Sequence, residues 1–146
     1  MIKVKVVQTQ DELKEIFKIR EEVFVKEQKV APEEEYDEFE DTSTHFIARD
    51  SEGTACGTAR WRYTDNGVKM ERFAVLKSHR NKGVGYALVN AVLEDIANNP
   101  ASADKKRYMH AQLGAVSLYE KFGFKKVGKQ FEECNIMHYT MELNPA

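Results

Sequence analysis

The residues of this chain best suited to hold an anion lie in Met70–Leu88, MERFAVLKSHRNKGVGYAL. An apolar strand reaches Val75, a short basic loop follows, and Gly83 and Gly85 open a helix. Amides in the first turn of a helix have no partner within it and sit at the positive end of its dipole. Glycine lets a bulky anion approach that backbone, and Arg80 and Lys82 add formal charge beside it. The chemistry this spacing predicts is a pyrophosphate cradle. A Walker A loop would need Gly-Lys-Ser/Thr, which is missing, and a dinucleotide fingerprint would need Gly or Ala where Leu88 stands. From these residues alone, the alternative is a plain glycine turn between strand and helix.

Other chemistry-bearing side chains are spread along the chain. In TARWRY, Arg60 and Arg62 share one strand face and Trp61 and Tyr63 the other, so the arginines either meet water or line an anionic cleft. Glu71 lies within VKMERFAV just upstream of Phe73–Val75, and His45 and His138 carry imidazoles, the side chain whose ordinary pKa is near neutral. Cys56 and Cys134 are two thiols far apart in sequence, which indicates neither a disulfide framework nor a metal site. They read as reduced cysteines of a cytoplasmic protein.

These groups need elements to position them. The 146 residues suffice for one domain with a proper core, and 42% hydrophobic with 32% charged residues is an ordinary globular balance. A net charge of −2 argues against a general nucleic-acid binder. No apolar run approaches a membrane span, and the first ten residues lack a signal peptide's apolar core. Ile2, Val4 and Val6 alternate as a first strand. Thr9 and Glu12 have capping-box spacing before a helix expected from Asp11 to about Lys26. The acidic stretch APEEEYDEFEDTS reads as a solvated loop. HFIAR, TACGTARWRYT and VKMERFAV, joined by DSEG and DNG turns, predict an antiparallel meander. Leu88, Val89, Val92, Leu93 and Ile96 form a helical stripe that stops near Pro100. A strand at Tyr108–Ala111 and a helix at Ala115–Phe122 follow, with Gly123 as its C′ residue. Closing strands at Phe124–Lys129 and Met137–Leu143 flank a loop QFEECNI. The expectation is a single α/β (α+β) domain over residues 1–146 with a mixed sheet.

Two motifs carry a family resemblance. Arg80-Asn-Lys-Gly83-Val-Gly85 resembles the Arg/Gln-x-x-Gly-x-Gly/Ala motif of the GNAT superfamily, the acetyl-CoA-dependent N-acetyltransferases. Leu118-Tyr119-Glu120-Lys121-Phe122-Gly123-Phe124 resembles the signature after that fold's fifth strand. IREEVFVKEQKV, Glu35-x-Asp37, His45 and TARWR further resemble the small bacterial ElaA-like branch, so the likeness covers nearly the whole chain. That branch often has Gly-Ile-Pro-His before the last strand, where this chain has Asn135-Ile136-Met137-His138.

The resemblance implies a mostly antiparallel sheet with splayed central strands and flanking helices. It implies acetyl transfer from acetyl-CoA to the primary amine of a small molecule in a ternary complex, without a metal. Pantetheine would pair with the backbone of Phe73, Ala74 and Val75, near Gln112. The pyrophosphate would sit on the amides of Asn81, Lys82, Gly83, Val84, Gly85 and Tyr86, with Arg80 nearby. An amine needs a base, for which Glu71 is the first candidate and His138 and His45 are rivals. The Val75 amide would face the oxyanion, and Tyr119 would protonate the leaving thiolate. The acceptor would meet Phe24, Glu27, Arg60 and Arg62. Glu27, Glu35 and Asp37 favour a cationic amine or polyamine, whereas the arginines favour an amino acid or amino-sugar phosphate. A non-catalytic acetyl-CoA sensor is the alternative function, and a homodimer is left open.

Overall fold

The capping box forms as its spacing predicts. In a computed structural model describing residues 1–145, Thr9 Oγ1 accepts from the Glu12 amide at 3.1 Å, and Glu12 Oε1 accepts from the Thr9 amide at 3.2 Å. Helix α1 then spans Gln10–Arg20. Its expected continuation is instead a π-helical segment, Glu21–Glu27, closed by the Gln28 amide donating to the Val23 carbonyl at 3.0 Å. Apolar periodicity cannot distinguish the two helix types over so few turns. Wide turns of this kind recur at functional sites, and this one sets Phe24 and Gln28 on the wall of a cleft.

Strands β1 (Lys3–Val6), β2 (Thr44–Arg49), β3 (Ala55–Thr64) and β4 (Gly67–Val75) form the expected meander. A short helix α2 (Pro32–Glu35) precedes β2, and α3 (Val84–Asn98) follows β4. Then come β5 (Arg107–Gln112), α4 (Val116–Glu120), β6 (Lys125–Glu133) and β7 (Ile136–Leu143). The seven strands make one sheet in the order β1-β2-β3-β4-β5-β7-β6, antiparallel except between β4 and β5.

Helix α3 covers one face and α1 the other. From α3, Val84, Leu88, Val89, Val92 and Ile96 pack against Phe46, Trp61, Met70, Met109 and Met141 of the sheet. From α1 and its π segment, Ile19, Val23 and Phe24 meet Val30 and Ala74. No side chain caps α3. A cap is worth about 1 kcal/mol, against about 1.5–3 kcal/mol for each large apolar side chain buried. Burial therefore holds α3 in place and leaves its first turn free for a ligand.

The central strands separate almost at once. β4 pairs with β5 only at Val68↔Arg107 and Lys69↔Tyr108. At that end the Val68 amide donates to the Lys106 carbonyl at 2.9 Å, and a Cβ on Gly67 would stand 2.3 Å from the same oxygen. Gly67, at φ +135°, is therefore required by close approach as well as by conformation. Gly67→Ala should destabilise the protein by about 1–3 kcal/mol in denaturant unfolding. Gly53→Ala, also at positive φ but with open space around it, should cost less. Equal midpoints for the two variants would show that the pinch at Lys106 carries no weight. Farther along β4, Arg72 takes φ +59° in a bulge opposite the Thr58–Arg60 stretch, which turns the strand's last residues away from β5.

Two expected loops are not loops. Gln130–Glu133 extends β6, leaving Cys134 (φ 53°) and Asn135 (φ 62°) as a two-residue turn with both residues left-handed, the type I′ geometry. The acidic stretch is not a solvated loop either. Glu35 is buried, and its Oε2 accepts from Arg20 Nε at 2.5 Å. Glu40 accepts from Arg20 Nη1 and Nη2 at 2.8 and 2.7 Å. Asp37 accepts from Arg60 Nη1 and Nη2 at 3.0 and 2.7 Å. These cations come from α1 and β3, so composition within the stretch itself could not reveal them.

Candidate active site

The divergence of β4 and β5 opens a cleft of about 460 Å³. Phe73 and Tyr119 stand together in it, their rings edge-to-face at 5.7 Å, with Phe124 behind Tyr119 at 6.2 Å. Tyr119 is placed by α4, one turn before the left-handed Gly123. Burial pushes its phenol well above the ordinary range, so the O–H is retained throughout neutral pH. Gln112, at the end of β5, donates through Nε2 to Gln28 Oε1 at 2.9 Å and so ties β5 to the π segment across the opening.

Glu71 and His138 face the same cleft from opposite sides. Burial would raise the Glu71 carboxyl, but Arg60, Lys69 and Arg62 outweigh it and hold Glu71 below the usual range. Its Oε1 accepts from Arg60 Nη2 at 3.1 Å and from Arg62 Nε at 2.5 Å. A carboxylate so engaged is an anchored charge and a weak base. His138 is different. Its Nδ1 lies 2.7 Å from the Ile136 carbonyl, which can only accept, so Nδ1 carries the proton and Nε2 is left basic. His45 does not line the cleft; its Nε2 meets the Glu40 carbonyl at 2.7 Å, and burial lowers its pKa.

The glycine loop holds its amides open. Among the described residues, no backbone bond outside the regular ladders begins at the amides from Asn81 to Tyr86, and the first helical bond runs from Ala87 N to Gly83 O at 3.0 Å. Asn81 (φ 63°) and Gly83 (φ 85°) are both left-handed, which gathers successive N–H groups into a concavity. Arg80 lies beside it, with Nε donating to the Val75 carbonyl at 3.0 Å and its outer nitrogens to Glu27 at 2.5 and 2.7 Å. Lys82 Nζ donates to the Ser78 carbonyl at 3.2 Å, and half-exposed Tyr86 lies against Phe122 at 4.6 Å. Leu76 N–H donates to Cys56 O on β3. Strand alternation turns the Val75 backbone the opposite way, toward the opening.

The proposed acceptor residues separate into two groups. Phe24 and Arg62 line the cleft, although Arg62 is pinned by Glu71 and stacked 3.7 Å over Phe39. Arg60 and Glu27 do not line it. Arg60 is 0% exposed and spent on Asp37, Glu40 and Glu71, while Glu27 is neutralised by Arg80. Each is a charged side chain whose opposite charge is supplied by another element of the fold. The cleft also contains residues the sequence did not single out, namely Lys69, Arg72, His110 and Glu133. A period-two reading that carried β6 through Glu133 would have found the last. Cys134 faces the cleft as well, and its thiol, held by the Glu34 carboxylate at 2.8 Å, is pushed up to about 11, which disfavours a nucleophilic thiolate.

Comparison with known proteins agrees with this geometry. The profile of the acetyltransferase (GNAT) domain matches residues 7–145. The chain belongs to the GNAT acetyltransferase family. It is 40% identical over 141 residues to the uncharacterized N-acetyltransferase YjcF of Bacillus subtilis, covering 96% of this chain and 98% of that one. Escherichia coli ElaA superposes with a TM-score of 0.85 at 26% identity, covering 97% and 99% of the two chains. A GNAT acetyltransferase from Elizabethkingia anophelis, solved with acetyl-CoA bound, shares the fold with a TM-score of 0.72 at 15% identity, over 98% and 97%. The splayed sheet expected from the glycine-loop and Tyr119 motifs is the one observed. No helix among the described residues is long and apolar enough to cross a membrane.

Proposed function

We propose that this GNAT domain transfers the acetyl group of acetyl-CoA directly to the primary amine of a small molecule, acting in the cytoplasm. The observation that carries the reading is the run of open amides from Asn81 to Tyr86, adjoining a strand edge that leads to Tyr119. That arrangement suits a long ligand with a pyrophosphate at one end and a reactive acyl group at the other. Acetyl-CoA would supply an activated thioester.

The chain's own groups then have distinct tasks. The amides of residues 81–86, with Arg80 and Lys82, hold the pyrophosphate. The backbone of Phe73, Ala74 and Val75 aligns the pantetheine arm, with Gln112 across the gap. The Val75 N–H faces the acyl oxygen, where negative charge develops. Glu71, kept ionised by its cations, attracts the acceptor's ammonium. His138 Nε2 takes a proton from it, and Tyr119 Oη gives one to the departing sulfur.

Calorimetry with Gly85→Glu tests the cradle. A Cβ there meets only the end of the Leu118 side chain, at 3.2 Å, so the fold should survive. The added carboxylate should weaken acetyl-CoA binding at least tenfold, about 1.4 kcal/mol. Unchanged affinity in a folded variant would show that the pyrophosphate lies elsewhere. Release of CoA with a panel of primary amines tests the chemistry, and binding without turnover on any amine would favour the sensor.

A further inference from the structure

Two cleft residues, His110 and Glu133, remain without a task, and Glu133 lies beside the proposed base. Glu133, at the end of β6, has Oε1 3.3 Å from His110 Nδ1 and Oε2 3.9 Å from His138 Nε2. His110 comes from β5 and His138 from β7, and Phe131 contacts both rings, edge-on to His110 at 5.1 Å and stacked on His138 at 5.8 Å. The arrangement therefore uses three strands to bring two imidazoles to one carboxylate.

We propose that His110, Glu133 and His138 form one proton-accepting unit, in which Glu133 positions both imidazoles and carries the acceptor amine's proton from the cleft to solvent. The inference rests on the acetyl-transfer reading above. In chemical terms, the substrate ammonium loses H⁺ to His138 Nε2, leaving a neutral amine and an imidazolium. Nδ1 is already committed to the Ile136 carbonyl, so the new proton is on Nε2, the nitrogen 3.9 Å from Glu133 Oε2. Attraction between the imidazolium and the carboxylate favours closing the 3.9 Å gap. The Glu133 side chain is 46% exposed, whereas that of His138 is 8% exposed, so the proton leaves through the carboxylate and His110 to water. No electrons or other reactants are needed.

Other charges face this unit and contribute to its titration. Lys69 and Glu71 approach from β4, Arg72 from the bulge, and Glu34 from α2. The hydrogen bond from His110, helped by Lys69 and His138, outweighs burial and holds the Glu133 carboxyl below its ordinary range. The three members do not form a metal site, since no group of three such side chains among the described residues is arranged to hold an ion.

Imidazole NMR titration of the parent, Glu133→Gln, His110→Gln and the double variant tests the unit without requiring turnover. Removing the carboxylate should move the His138 midpoint to lower pH, the direction expected when a neighbouring negative charge is lost. His110→Gln should also move it, but not once Glu133 is already Gln. With an accepted amine, the acid limb of the kcat/KM profile should follow the same shift, while acetyl-CoA affinity and Tm stay near the parent values. A His138 midpoint unmoved by Glu133→Gln, or an acid limb unmoved while the midpoint shifts, would overturn the proposal. Linked titration in a protein that acetylates no amine would sustain the coupled unit and count against acetyl transfer instead.

Discussion

Tyr119→Phe is expected to lower turnover by roughly 10²- to 10⁴-fold, the range of general acid catalysis. The substitution keeps a ring between Phe73 and Phe124, so packing and Tm should change little. It removes the one group in the cleft whose O–H burial keeps protonated throughout neutral pH. Acetyl-CoA affinity should persist, because the loop amides and the β4 edge are untouched. The loss should fall equally on kcat and kcat/KM, as for an interaction made only in the transition state. An acyl donor with a more acidic thiol should recover part of the rate. Parent-like turnover, with chemistry shown to be rate-limiting, would assign the proton to another donor, and His138 would be tested next.

The second large effect concerns stability. Arg60 is fully buried and holds Asp37, Glu40 and Glu71 together. Arg60→Met should cost about 3 kcal/mol, because it takes a fully buried shared cation from three partly buried carboxylates, each left with fewer partners. The expected fall in Tm is on the order of 10 °C. The pH dependence has a definite sign. Burial would raise the Asp37 carboxyl, but Arg60, the Phe39 amide and Arg72 bring it down to about 2. A carboxyl whose folded pKa is depressed contributes stability above its unfolded pKa and loses it as pH falls through the folded value. The gap between parent and variant in urea unfolding should therefore be widest near neutrality and narrow between about pH 4 and pH 2. A deficit independent of pH would mean that Arg60 matters through packing alone.

The limits of sequence reading can be located residue by residue. The glycine loop, the apolar stripe of α3, the hairpin at Asp65–Gly67 and the turn into Phe124 were legible because each is a local pattern. Glu35, Asp37 and Glu40 were misread because their partners lie on α1, β3 and β4, and a charge run gives no sign of what will face it. The end of β6 was missed for a related reason. Its residues are mostly exposed and polar, and its alternation is interrupted by a bulge at Gly128, φ 77°. Composition there suggested a loop where hydrogen bonding makes a strand. Tyr119 and His138 could be singled out by type and position, but only the fold shows that they face one another's cleft.

The gap beside β4 also bears on solubility. An unpaired strand edge on the outside of a protein is an invitation to other chains, and natural sheets usually blunt it with charge, proline or a bulge. The unpaired edge of β4 lies instead inside the sheet, facing β5 across the cleft. The pinch at Lys106 closes one end, the Gln28–Gln112 amide pair spans the other, and the bulge at Arg72 spoils the regular repeat a second strand would need. A neighbouring polypeptide would need that regular repeat to pair along the edge. The same constriction that shapes a binding slot thus guards against aggregation, and substitutions that widen it should reveal themselves first as self-association in concentrated solution.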